Sequence, residues 1–327
     1  MDKTQYKARV KINWGKILKE NIAVVVMLIL LVVSSLMSDA FLTSRNIFNL
    51  LRQLSPDMLL AMGLMFVIMT GGIDLSVGSV VAMASVFTAN LLVTYSLPVT
   101  VLLVLLASAA FGAFNGYLVA RRRLAAFVVT LAGMTIAKGI AFIVSRGMPL
   151  RIRNQALLSF AVAAPLGIPA LVWFVSGVVV LLALAHRFTV FGRFVQAIGS
   201  NETAVMLSGI NTSFYKIGVY VMSSVLSGMG GIIVASRVGM GSPLAGDGDE
   251  LDAIAAVVIG GASLSGGTGR VLNTVMGVLV LGMINNIMNI RNVPSYPQQV
   301  LKGVIIIIAV LLQSDRKKRD ISLSSQV

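Results

Sequence analysis

No cysteine occurs among the 327 residues. Disulfides, thiolate nucleophiles and cysteine-based metal centres are therefore excluded. Histidine is almost as scarce. His186 stands alone at the end of an apolar run, beside Arg187. One imidazole builds no zinc site, and its position reads as a helix-end surface residue. Acids are few, 12 against 26 lysines and arginines, for a net charge of +14. There is no GxxxxGK[ST] loop. The nearest approach, Gly261 to Gly266, continues with Gly267 and Thr268 rather than a lysine, so ATP is not bound by that route. GxSxG, HExxH and EF-hand patterns are missing as well. The expectation is a chain that is no enzyme, with no catalytic residue, metal or cofactor of its own.

What is present is apolar surface. The chain is 57% hydrophobic, with a mean hydropathy of +0.92, well above a soluble domain. A bilayer-crossing helix takes about 20 residues, so ten of them use roughly 200 and leave only short loops. A separate soluble catalytic domain has no room. The positive charge reads as orientation and contact with acidic membrane lipids, not as nucleic-acid binding.

Residues 1–20 carry Lys3, Lys7, Arg9, Lys11, Lys16 and Lys19 against Asp2 and Glu20, which marks a basic cytoplasmic tail. No cleavage site follows, so the first span is expected to stay. Apolar runs then fall at about 22–37, 58–70, 77–95, 99–120, 127–144, 170–185, 217–235, 251–260, 271–290 and 300–312. Residues 44–56 alternate at helical spacing and are expected to lie at the outer interface. Ten crossings place both basic termini inside, together with Arg121, Arg122 and Arg123. The reading is an all-α polytopic membrane protein of about ten transmembrane helices. One transmembrane domain, 21–313, lies between the tails 1–20 and 314–327. The runs 58–70 and 251–260 are short and end in GGIDLS and GGASLSGG, which points to broken helices. The two motifs echo each other, with NG at 115–116 and NN at 285–286 downstream, a weak sign of internal duplication.

The longest polar interruption on the cytoplasmic side is FGRFVQAIGSNETAVMLSGI, 191–210. It reads as a short amphipathic helix over about 200–209. Ser200 or Asn201 caps its start, Glu202 suits its dipole and Gly209 takes the left-handed C-terminal position. Met206, Leu207 and Ile210 make a small apolar face. Two readings stand: a surface-lying connector, or a handle pushed by a soluble motor. Asp74 sits in the first glycine-flanked break, either as a cap on the next helix, near Ser76, or as part of a gate or solute path. Lys138 lies inside a span and is expected to face the bundle interior or snorkel. Asn285 and Asn289 share a helix face, and Asn115 and Asn273 are also in apolar surroundings. Such amides glue helices together or line a polar path. In SRGMPLRIRN, Arg146, Arg151 and Arg153 stand outside against the positive-inside rule, as tolerated charges or as a docking surface for an acidic partner. Residues 154–168 are expected to form an interfacial or re-entrant piece.

From about residue 40 to 312 the chain resembles the permease subunits of bacterial ATP-binding-cassette importers for monosaccharides, the ribose-permease-like group. The resemblance rests on GGIDLSVGS (71–79), GAFNGYLVA (112–120), GSNETAVMLSGIN (199–211), ELDAIAAVVIGGASLSGGTGR (250–270) and SYPQQVLKGVIIIIAV (295–310), in that order. It departs at Lys138, where arginine is more usual, and in the loop 150–168. The resemblance implies a pore of two permease subunits, a homodimer or heterodimer, in the bacterial inner membrane. Separate cytoplasmic subunits would bind ATP and Mg and grip Asn201, Glu202, Ala204, Leu207, Ser208 and Gly209. A periplasmic sugar-binding protein would deliver solute at Arg146, Arg151 and Arg153. Gate or pathway candidates are Asp74, Ser76, Asn115, Lys138, Asn285 and Asn289. Autoinducer-2 and branched-chain amino acids are alternative cargoes of the same class. An ion-coupled secondary transporter is the alternative of another class, and Asp74 is its one clear intramembrane acid.

Overall fold

The computed structural model describes residues 22–305 with 307, 308 and 311. Both basic tails lie outside the described residues. In chain order the helices are α1 (Ile22–Met37), α2 (Ser44–Met69), α3 (Val77–Leu91), α4 (Leu97–Ala120), α5 (Ala126–Ser145), α6 (Gln155–Val162), α7 (Ala170–Phe188), α8 (Val190–Leu207), α9 (Thr212–Val238), α10 (Asp249–Ile259) and α11 (Val271–Ile290). A further helix, α12, occupies 295–305. Two short strands, β1 (Leu150–Arg151) and β2 (Met240–Gly241), pair antiparallel. The molecule is an all-α polytopic membrane protein. Six helices (α2, α4, α5, α7, α9 and α11) are long and apolar enough to cross a bilayer, and α1 and α3 are shorter apolar helices.

Burial sorts these helices. In α2, Leu59 to Met69 are buried on every side, the mark of a core helix. α9 packs against α2, α3 and α4, and small residues let it approach closely. A Cβ on Gly63 would stand 2.8 Å from Ser223 Cα, and one on Gly116 2.9 Å from Ile217 Cα. Ser108, Gly112 and Gly116 recur every four residues on α4 and face Gly228, Ser224 and Tyr220 on α9. This small-residue seam replaces the hydrophobic drive that lipid cannot provide. α4, α5 and α7 expose Leu106, Phe127 and Leu181 outward, as lipid-facing helices do.

The structure corrects the sequence reading in three places. The interfacial helix expected at 44–56 and the short span after it are one 26-residue helix, α2, capped by Thr43 and passing through Pro56. Its polar residues meet other helices: Asn46 and Asn286 exchange amide hydrogen bonds, both 2.9 Å. The expected span at 251–260 is helical over only part of its crossing. α10 has 11 residues, about 16 Å at 1.5 Å per residue, half a bilayer. The chain reaches its start through a run of turns lying along α3, with Gly241 against Ser85 and Ala89 and Gly246 against Gly78 and Val81. The polar helix has its own start at Asn201, where the backbone leaves helical values, and follows a helical stretch that begins at Val190. His186 is no plain surface residue. Its ring stands edge-on to Phe66 with centroids 5.8 Å apart.

The echo between the two glycine motifs is real in backbone terms. After α2, Gly71 N–H donates to Ile68 and Gly72 N–H to Val67. After α10, Gly261 N–H donates to Val258 and Ala262 N–H to Val257. Gly71 (φ 78°) and Gly261 (φ 85°) occupy the left-handed position in both. The asparagines do not follow the pattern. Asn115 is on the second helix after its break, and Asn285 is on the first.

Candidate coupling and gate site

Three segments meet at one face of the bundle: the end of α2, the loop after α10, and α8. Gly267 N–H donates to Met69 O at 2.9 Å. Gly199 presses its backbone against both Met69 O and Gly267 N, too close for any side chain. A Cβ on Gly266 would stand 2.9 Å from Gly71 N and from Gly199 O. The stretch of α8 before Asn201 therefore touches both glycine breaks.

Asn201 interrupts α8 with extended backbone (φ −160°, ψ 92°). Its Oδ1 accepts from Ala204 N–H at 2.9 Å, so it caps the second part of the element. Gly209 closes that part at φ 80°, its N–H donating to Met206 O. Of the two caps weighed from sequence, Asn201 is the one used. Glu202, Ala204, Leu207 and Ser208 are all exposed, and Leu207 is 79% accessible. Among the described residues Glu202 makes one ion pair, with Lys216 on α9 at 2.7 Å. The next residues along that stripe of α9 are Tyr220 and Ser223.

Ser223 leads to Asp74. Asp74 is fully buried. Its Oδ1 accepts from Ser76 N–H (3.0 Å) and Ser76 Oγ (2.6 Å), and its Oδ2 accepts from Ser223 Oγ (2.9 Å). It caps the start of α3, as the sequence suggested, and ties that start to α9. Asn115 Nδ2 donates to Ser76 Oγ at 3.1 Å, while Asn115 Oδ1 is buried without a hydrogen-bond partner. Asp74, Ser76 and Asn115 thus form one cluster. Ser223 belongs to it and was missed, because a serine inside an apolar helix carries no signal of its own.

The other pathway candidates lie elsewhere. Lys138 pairs with Asp247. Asn285 is half-buried, and its neighbour Asn286 makes the contact to α2. Asn289 accepts from Gln298 at 2.9 Å and ties α11 to α12. These three join no common site with Asp74. A second polar group was not expected at all. Asp247, Asp249, Glu250 and Asp252 gather at the start of α10, where the helix dipole favours acids. The Glu250 carboxylate abuts Gly78, and Asp252 pairs with Lys302. The run GDGDELD at 246–252 ahead of a short apolar run was the signal.

On the opposite face Arg146, Arg151 and Arg153 are exposed, and none has an ion pair among the described residues. Ile152, Leu157 and Ala235 pack beneath them in a small apolar cluster with Ala89. Residues 154–168 form α6 and a short 3-10 turn, Pro165–Gly167.

The profile of a family described as branched-chain amino acid transport system / permease component matches residues 46–310. The chain is 41% identical over 309 residues to the ribose import permease of Escherichia coli (strain K12), covering 92% of this chain and 95% of the relative. It is 42% identical over 294 residues to the ribose import permease of Bacillus subtilis (strain 168), covering 89% and 90%. It is 35% identical over 307 residues to the L-arabinose transport system permease of Escherichia coli (strain K12), covering 94% of both chains. No solved structure matches significantly.

Proposed function

This chain belongs to the branched-chain amino acid transport system / permease component family, and from that premise we propose that it is the pore-forming subunit of an ATP-driven monosaccharide importer. The cargo is a ribose-like pentose or related sugar. The observation that carries the reading is the near full-length similarity to ribose and arabinose permeases.

The work is divided among chains. Cytoplasmic subunits bind ATP and Mg, a periplasmic protein brings the sugar, and a second permease completes the pore. Both termini and the Glu202–Gly209 segment face the cytoplasm, and Arg146, Arg151 and Arg153 face out. The motor grips Leu207 and its exposed neighbours. Its push travels two ways. Gly199 bears directly on both glycine breaks. Glu202, through Lys216 and α9, bears on Ser223 and so on Asp74. Alternating access follows from rigid elements shifting against these joints.

Reconstitution with candidate ATPase and binding-protein partners tests this. Labelled ribose or another pentose is expected to accumulate only with ATP and all components, and leucine not at all. Uphill uptake by this chain alone, driven by an ion gradient, would overturn it.

A further inference from the structure

A cavity of about 540 Å³ lies between the Glu202–Ile210 segment and the end of α2, within the size range of small-molecule sites. Its wall carries Arg123, Lys216 and Glu202, with Thr203, Thr212 and the apolar Met206. Lys216 is matched by Glu202 at 2.7 Å. Arg123 has no acidic partner among the described residues, so the cavity holds one uncompensated positive charge. The neighbouring arginine is used differently: Arg122 lies over the Tyr117 ring, 5.6 Å from its centroid. α5 and α9 both begin at this wall, at Ala126 and Thr212, and their first N–H groups add to the positive field.

We propose that this cavity binds a phosphoryl group carried on a small polar body. A guanidinium and an ammonium lining one cavity suit a phosphate dianion or diester better than a neutral solute. A bound phosphoryl competes with Glu202 for Lys216 and so loosens the tie between the α8 segment and α9. The same chemistry has two sources, a soluble sugar phosphate or the headgroup of an anionic phospholipid. The site does not rest on the transport reading, because binding is measured on the isolated chain.

The test uses the purified protein in phosphatidylcholine nanodiscs with a radiolabelled pentose 5-phosphate. Saturable binding is expected, competed by inorganic phosphate and weakened about tenfold or more by Arg123→Ala. Arg123→Gly should weaken it equally while relieving the left-handed backbone at this residue (φ 56°), which guards against misfolding of the first variant. Arg122→Ala should leave it unchanged. If the soluble probe does not bind, nanodiscs containing phosphatidylglycerol give the lipid arm. Native mass spectrometry should then find that lipid retained on the wild type and lost from both Arg123 variants. No binding in either arm, or binding indifferent to Arg123, overturns the proposal.

Discussion

Single atoms decide the behaviour of the joint near Gly199. Its Cα sits where a methyl group would overlap Met69 O and Gly267 N. Gly199→Ala is expected to part the two glycine breaks, with a lower thermal midpoint in detergent and loss of uptake. A midpoint equal to wild type would show that the contact is not tight. Asp74 allows its two proposed roles to be separated. Asp74→Leu strands the Ser76 N–H and the Ser223 hydroxyl in an apolar core, at about 1–3 kcal/mol for each unsatisfied group. The midpoint should fall by several degrees. Asp74→Asn keeps the acceptor for Ser76 and should hold the midpoint near wild type. If it also keeps full uptake, Asp74 is a cap alone; loss of uptake in a stable Asp74→Asn protein makes it part of the gate.

At the scale of elements, the proposed coupling role makes the α8 segment a capped lever. Its cap, Asn201, is worth about 1 kcal/mol, and its ion pair to Lys216 is half-exposed and worth less than about 1 kcal/mol. Glu202→Arg combined with Ala204→Trp is therefore expected to leave stability nearly unchanged. It should abolish uptake while the partner ATPase still turns over, read as ATP hydrolysed per sugar moved. Unchanged uptake would remove the segment from the coupling path. The opposite face calls for a different readout. Arg151→Glu and Arg153→Glu together should weaken the response to a limiting binding protein, with recovery at saturating amounts, since screened surface charges act on encounter. A loss that persists at saturation would place the defect elsewhere.

For the whole molecule, the absence of cysteine makes sidedness directly measurable. Leu207 is exposed on the face that carries α8, and Met148 is exposed on the other. A membrane-impermeant maleimide is expected to label Met148→Cys in spheroplasts, and Leu207→Cys only after the membrane is opened. The reverse pattern would invert the proposed orientation. The two glycine breaks meet through Gly71, Gly266 and Gly199, so halves of the chain far apart in sequence share one joint. Under the proposed coupling role, one push on α8 would reach both.

Much was readable without coordinates because burial in lipid forces apolar runs of fixed length and forbids unpaired backbone. The ends of α1 and α11, the glycine breaks and the caps at Asn201 and Gly209 follow from local chemistry of that kind. Length and polarity misled where tertiary contacts replaced solvent. Asn46 made 44–56 look interfacial, yet its amide is satisfied by Asn286, 240 positions away. The short run at 251–260 looked like a span, yet the chain enters it from within the bundle along α3. The gathering of Ser223, Asp74, Ser76 and Asn115 could come only from the packing of α9 against α3 and α4. Sequence by itself determined the solvent each segment requires and the sites where a helix must stop. The fold alone decided which polar atoms meet, because hydrogen bonds reach about 3 Å in space and take no account of distance along the chain.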